Sequence, residues 1–188
     1  MDLSQLVLHD GTMTRAQGRV VAYEGKTWFE PMGWLPHVLY PPGGEPPPRP
    51  SGYGVSVLGV DTDTLLRRRE KDGGIEGYAT LAGIWAEEAL VVSHQAAPGL
   101  LPEHHADRPP RPEQTWPHAE AEAAHEDVKQ HMRDWLVYEL GQTETWDGLL
   151  SLSVKVIRVL PELSDWARAL PEGMLALDVW LAPHPHAL

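Results

Sequence analysis

The chain contains no cysteine, and only 15 lysine and arginine residues stand against 27 aspartates and glutamates. The absence of cysteine excludes disulfides, zinc–thiolate sites and thiol nucleophiles. The shortage of basic residues leaves a formal net charge of −12. A negative protein repels a phosphate backbone, whose binding depends on cations, and attracts a basic surface instead. The composition therefore makes nucleic acid an unfavourable partner and favours a protein partner.

Long apolar runs are also absent. No segment approaches the roughly 18–20 apolar residues that a membrane-spanning helix needs. The first 17 residues lack the basic start of a signal peptide, and the apolar run 6–8 is too short to form the core of one. We therefore expect a soluble, cytoplasmic protein that does not associate with membranes.

The motifs of common hydrolases and nucleotide-binding enzymes are missing as well. The sequence has no Gly-x-Ser-x-Gly, Ser-x-x-Lys or His-Glu-x-x-His motif, no phosphate-binding glycine loop and no Rossmann fingerprint. Ser93 and His94 are adjacent, but neighbouring side chains on a strand point to opposite faces, which is unfavourable for a nucleophile and its base. These absences favour a non-catalytic protein and predict no cofactor.

The clearest predicted element is a β-hairpin over residues 74–98. An aromatic and β-branched strand at 75–85 is followed by an acidic four-residue loop at 86–89 and a short apolar run at 90–92. Gly74, Gly77 and Gly83 weaken a strand unless it bends, bulges or allows another backbone to approach. The pattern therefore predicts a strongly curved sheet, and an amphipathic helix over 79–92 is the alternative interpretation.

The remainder of the N-terminal half predicts further strands. Residues 18–23 and 26–30 are rich in β-formers and are joined by Glu24-Gly25, so we expect a second hairpin there. A strand is expected at 53–60, followed by a short helix over 62–72. The order strand, strand, strand, helix, hairpin is that of a small OB-like barrel.

The C-terminal half is expected to combine helices and strands. Apolar residues three and four apart predict a long helix over 120–140, with Gly141 at its C-terminal end. A strand over 149–160, a short helix over 161–170 and a strand over 174–181 follow.

We therefore predict an α+β fold with a β-rich core, either an OB-like small barrel or a curled antiparallel sheet. One long and one or two short helices are expected, mainly in the C-terminal part. The predicted organisation is a β-rich domain at 1–98, a proline-rich linker or surface excursion at 99–117, and a helix–strand–helix–strand region at 118–188 that packs on the first sheet.

Two polar clusters admit both a structural and a functional interpretation. The first cluster is a run of four cations: Arg67, Arg68, Arg69 and Lys71. Cations are favourable at the C-terminal end of a helix, which is the structural interpretation. The functional interpretation is contact with an anion or nucleic acid. On the long helix, Glu122 and His125 share a face and His118 lies seven residues before His125, which is one half of a helical metal motif. Solvent exposure explains both clusters without a ligand, so no metal is predicted.

The chain has eight tryptophans and one phenylalanine. Five of the tryptophans fall in predicted loops or at positions of uncertain face: Trp28, Trp34, Trp116, Trp146 and Trp180. The first four predict a partner-binding surface, and packing against nearby prolines is the alternative interpretation. We expect a non-catalytic binding or assembly module that engages a protein partner or itself through these tryptophans and proline-rich loops. The alternatives are an OB-like nucleic-acid-binding module using Arg67–Arg69 and a metal-assisted hydrolase using His118, Glu122 and His125.

Overall fold

The structure is a computed structural model that describes residues 3–32, 44–99, 118–144 and 150–184. Within these residues the chain forms nine strands and two α-helices, so the predicted α+β class is confirmed. In chain order the elements are β1 (Met13–Tyr23), β2 (Lys26–Pro31), β3 (Val55–Leu58), β4 (Leu66–Lys71), β5 (Gly74–Ala86), β6 (Ala89–Ala96), α1 (His118–His131), β7 (Val137–Glu144), β8 (Leu150–Val156), α2 (Pro161–Ala169) and β9 (Leu175–Val179). Neither helix is long and apolar enough to cross a membrane among the residues described.

The chain divides into two compact units. The barrel unit comprises His9–Leu100 and Pro183–Leu188, and the helical unit comprises Met1–Leu8 and Leu101–Ala182. The sequence predicts an N-terminal domain followed by a C-terminal region. In the structure, the N-terminal residues Met1–Leu8 belong to the helical unit and the C-terminal residues Pro183–Leu188 belong to the barrel unit. The packing of residues 118–188 on the first sheet remains a prediction.

Five strands of the barrel unit pair in a closed ring. The ring runs β1–β2–β3–β6–β5 and returns to β1, and every pairing is antiparallel except that of β3 with β6. β4 lies outside the ring and pairs with the first half of β5. Alternate residues of each strand point inward, and the core is built from the largest of them: Val20, Phe29, Val57, Leu81, Trp85 and Leu90.

The predicted hairpin over 74–98 is confirmed as the antiparallel pair β5–β6. Its loop is shorter than expected, because Ala86 and Ala89 pair with each other and leave a two-residue turn. Glu87 and Glu88 form this turn with φ angles of 49° and 59°. The pairing also shifts register between Ala82 and Gly83, so the bulge that the glycines predicted is present.

The predicted hairpin of β1 and β2 is also confirmed, and Glu24-Gly25 forms its turn. The predicted helix over 62–72 is wrong. Residues Thr62–Thr64 make one 3-10 turn, after which β4 pairs with β5 through a turn at Asp72-Gly73. An Asp-Gly pair readily takes the two left-handed conformations of such a turn, and pairing with β5 outweighs the helix propensity of the charged residues.

The helical unit contains a three-stranded sheet. β7 and β8 are antiparallel, while β8 and β9 are parallel and are joined through α2. The core of this unit lies between the sheet and both helices and includes Val128, Leu152, Val154, Val156 and Leu163, all fully buried. The strand, short helix and strand predicted over 149–181 are therefore confirmed, with the bounds given above.

The predicted helix over 120–140 is wrong beyond His131. The chain leaves the helix in a Schellman-type turn, in which Val137 N donates to Met132 O at 2.8 Å and Leu136 has a φ of 55°. Leucine occupies the left-handed position where glycine is usual, so the sequence carried no stop signal there. Gly141, which was expected to end the helix, lies within β7.

Candidate protein-binding surface

Three large apolar side chains form one exposed row on the outer face of the barrel. Leu58 on β3 is the register partner of Val91 on β6, and Val91 is the partner of Ile84 on β5. Their exposed fractions are 56 %, 41 % and 42 %. Of the five large apolar side chains exposed in the described residues, these three are direct neighbours. We refer to Leu58, Val91 and Ile84 as the apolar row.

The alternation of each strand explains why these side chains face outward. The preceding or following residues, Val57, Leu90 and Trp85, point into the barrel and are almost completely buried. A strand with one face on a core ordinarily carries polar residues on the other face. Three adjacent strands of this sheet depart from that rule at the same level, and contiguous apolar surface of this kind marks interaction sites.

One predicted partner-binding residue lies beside the apolar row. Trp28 on β2 is half-buried, and its register partner is the exposed Ser56, which shares the outer face of β3 with Leu58. The outer face thus continues from Trp28 across β3 to Val91. The other three predicted tryptophans, Trp34, Trp116 and Trp146, lie outside the described residues.

An acidic turn closes one end of this surface. Glu87 and Glu88 are both exposed, and the pair Ala86–Ala89 separates them from the apolar row. A third carboxylate lies beside them, because Glu87 N donates to Asp10 Oδ1 at 3.1 Å. A left-handed φ costs a non-glycine residue on the order of 1–3 kcal/mol, and two-residue turns of this type ordinarily use Asn-Gly. The hairpin therefore holds two carboxylates at its tip at a conformational cost.

The basic run predicted as an anion or nucleic-acid contact is largely occupied within the chain. Arg68 donates to Glu70 at 2.7 Å. Arg69 donates to Glu76 at 2.7 Å and to the carbonyl of Pro46 at 2.8 Å. Lys71 donates to the carbonyl of Glu45 at 2.5 Å, and Arg67 is exposed with a φ of 54°. Three of the four cations thus bind groups of the barrel unit itself.

Arg69 and Lys71 belong to a network that fixes residues 44–51, the proline segment, to the outside of β1, β2 and β5. Arg19 lies at its centre and is buried; it donates to Glu30 at 2.8 Å and to Glu76. Arg19 also donates to Arg49 O at 3.3 Å, while Glu30 accepts from Ser51 N at 2.6 Å. The carbonyls of Glu45, Pro46 and Arg49 lie outside regular secondary structure, so arginine and lysine side chains supply their hydrogen-bond donors.

Glu76 is the carboxylate that links Arg19 to Arg69 in this network, because it accepts hydrogen bonds from both. Burial alone would raise its pKa, but hydrogen bonds and charges from Arg19 and Arg69 outweigh burial and leave the pKa below its ordinary value of 4.5. Glu76 is therefore ionised in the folded protein at neutral pH, as its two arginine partners require.

The residues of the alternative metal site lie on α1. Glu122 is exposed and His125 is half-buried one turn later, with His125 Nδ1 3.9 Å from Glu126 Oε1. His118 begins the helix, and its side chain lies outside the described part of the structure. No group of three or more potential ligands is arranged to hold a metal ion among the residues described. The metal-assisted alternative remains an untested prediction.

Comparison of the chain with protein-family models, with curated proteins and with solved structures found no match. The function proposed below therefore rests on the chain's own residues.

Proposed function

We propose that this protein is a non-catalytic binding or assembly module that engages a protein partner through the outer face of its barrel. The observation that carries the proposal is the apolar row, in which Leu58, Val91 and Ile84 are register neighbours and all exposed. Fully burying an exposed apolar side chain of this size contributes about 1.5–3 kcal/mol, and covering one that is already about half-buried contributes roughly half as much. Three adjacent ones supply the centre of a specific interface, and the half-buried Trp28 supplies an aromatic edge.

The strand order gives this proposal further support. A five-stranded ring of this kind is compatible with the OB-like barrel predicted from the sequence, and OB barrels bind ligands on the face of strands 2 and 3. In this chain the outer face of β2 and β3 carries Trp28, Ser56 and Leu58. The likeness is an analogy of architecture and does not fix the ligand.

A nucleic-acid ligand, which OB barrels often bind, receives less support from the same face. Its turns carry three glutamates, Glu24, Glu87 and Glu88, which outnumber the exposed Lys26 on β2, whereas a phosphate backbone requires cations. The only basic run lies on β4, where Arg68, Arg69 and Lys71 bind groups of the barrel itself. Protein is therefore the partner class that we propose.

The test is a selection of binding peptides from a random displayed library with the wild-type protein as bait. Each selected peptide is then titrated against Leu58→Ser and Val91→Ser, and against Leu66→Ser as a matched control. Leu66 is equally exposed but lies on β4, away from the apolar row. We expect the first two variants to fold normally, since exposed substitutions change stability little, and to bind about tenfold more weakly.

Three outcomes would contradict the proposal. One is a selection that yields no specific peptide. Another is a set of peptides that bind Leu58→Ser and Val91→Ser as tightly as the wild type. Loss of binding in Leu66→Ser to the same extent would have the same meaning, because it would show that the apolar row is not the site.

A further inference from the structure

We infer that the partner segment is basic as well as apolar, with lysine or arginine side chains beside the aliphatic or aromatic residues that cover the apolar row. This inference rests on the function proposed above and adds the chemistry of the partner. It follows from the acidic turn, Glu87-Glu88, and from the position of that turn relative to the apolar row.

The acidic turn is placed within reach of any segment that lies on the apolar row. Ala89 and Ala86 are two residues from Val91 and Ile84 on the same face of their strands, a separation of roughly 7 Å. Glu87 and Glu88 join Ala86 to Ala89, so the acidic turn directly follows the last pair of this face. A partner whose apolar residue covers Val91 can therefore direct a neighbouring lysine or arginine toward the turn.

The geometry of the turn does not favour glutamate at either of its two positions. Glu87 and Glu88 both have left-handed φ angles, which glycine or asparagine would adopt with less strain. The comparable turns at Glu24-Gly25 and Asp72-Gly73 each place glycine at the second position, whereas, of these three described turns, the one beside the apolar row has none. Two exposed acidic groups beside an apolar surface are complementary to a basic amphipathic segment.

The charge of the whole chain supports the same partner. A net charge of −12 attracts basic proteins to the chain as a whole and opposes both acidic proteins and a second copy of the chain. A charge of this size acts mainly on association rates, so its effect is weakened by salt. A heterologous basic partner is therefore favoured over self-association.

The peptides selected with the wild-type protein supply the probe. Each is titrated against wild type, against Val91→Ser and against the double variant Glu87→Asn/Glu88→Gly, at low and at high salt. The double variant removes both charges and introduces the residues that the turn prefers, so misfolding does not confound the result. Each peptide is also resynthesised with glutamine in place of its lysines and arginines.

We expect the selected peptides to be enriched in lysine and arginine and to bind the double variant roughly tenfold more weakly at low salt. The glutamine peptides should lose a similar factor against wild type and no further factor against the double variant. Binding by wild type should weaken with salt more steeply than binding by the double variant.

Three results would overturn the inference, and they differ in whether they also contradict the proposed function. Peptides that need Val91 but bind the double variant normally would refute a basic partner and leave the proposed function intact. Peptides that bind Val91→Ser normally would refute both. A dimer of the wild-type protein in sedimentation equilibrium that is lost in Val91→Ser would show that a second copy covers the apolar row, which also refutes the basic partner.

Discussion

The carbonyl oxygen of Val91 occupies the space that a side chain on Gly83 would need. A Cβ atom placed on Gly83 would lie 2.0 Å from this oxygen. The two strands approach this closely because the pairing shifts register between Ala82 and Gly83. On the turn side of this bulge the register runs unbroken from Ala86–Ala89 to Gly83–Val92, and this register places Val91 beside Ile84 in the apolar row.

Replacing Gly83 with alanine should therefore separate β5 from β6. The clash is with backbone, which cannot rotate away, so we expect the free energy of unfolding to fall by about 1–3 kcal/mol. Thermal and urea unfolding measure the loss. Gly141→Ala is the matched control, because it is also a strand glycine and its Cβ would lie 3.9 Å from the nearest atom, Cβ of Ser153. Equal stability of the two variants would contradict the close approach.

The carboxylate of Glu76 makes the barrel sensitive to acid. Its pKa is lowered in the folded protein, since the bonds from Arg19 and Arg69 outweigh the effect of burial. A lowered pKa stabilises the fold above the unfolded value, near 4.5, and this contribution is lost as the pH falls through the folded value. The difference in unfolding free energy between wild type and Glu76→Gln should therefore be constant at neutral pH and shrink below about pH 4.5. A difference that does not change between pH 7 and pH 3 would contradict the assignment.

The acidic turn should be a site where stability can be gained. Glu87→Asn/Glu88→Gly relieves two left-handed φ angles, so we expect the free energy of unfolding to rise by about 1 kcal/mol or more. Glu24→Asn is the control, because the second residue of that turn is already Gly25 and only one position is relieved. Differential scanning calorimetry compares the three proteins. A lower melting temperature in the double variant would show that the glutamates stabilise the turn.

The sequence was most informative where backbone preference and apolar pattern agreed. The hairpin of β5 and β6 follows from its β-branched run and its glycines, and α2 follows from Pro161 and the apolar stripe after it. The helices over 62–72 and 132–140 were wrong because pairing with β5 and β8 overrode helix propensity. At Leu136 the left-handed turn has no glycine to reveal it.

The apolar row could not be found by the same reasoning, because it depends on register. Val91 and Ile84 each lie in short apolar runs, 90–92 and 84–85, and a run alone does not say which member faces outward. Only the parallel pairing of β3 with β6, which joins segments more than thirty residues apart, brings Leu58 beside them. Among the described residues, Trp28 is the predicted surface tryptophan that lies beside the row.

The last prediction concerns the proline segment, residues 44–51, and compares two arginines of β4 that differ in their contacts with it. Arg69 bonds to Glu76 and to the carbonyl of Pro46, whereas Arg67 is exposed on the same strand. We expect Arg69→Ala to increase hydrogen exchange across residues 44–51 several-fold, with a loss of unfolding free energy of about 1 kcal/mol or less because the side chain is partly exposed. Arg67→Ala should leave both unchanged, and mass spectrometry of the exchanged segment compares the two. If Arg69→Ala exchanges like wild type, the buried core of the network around Arg19 holds the segment without help from β4, and the role assigned to the basic run is wrong.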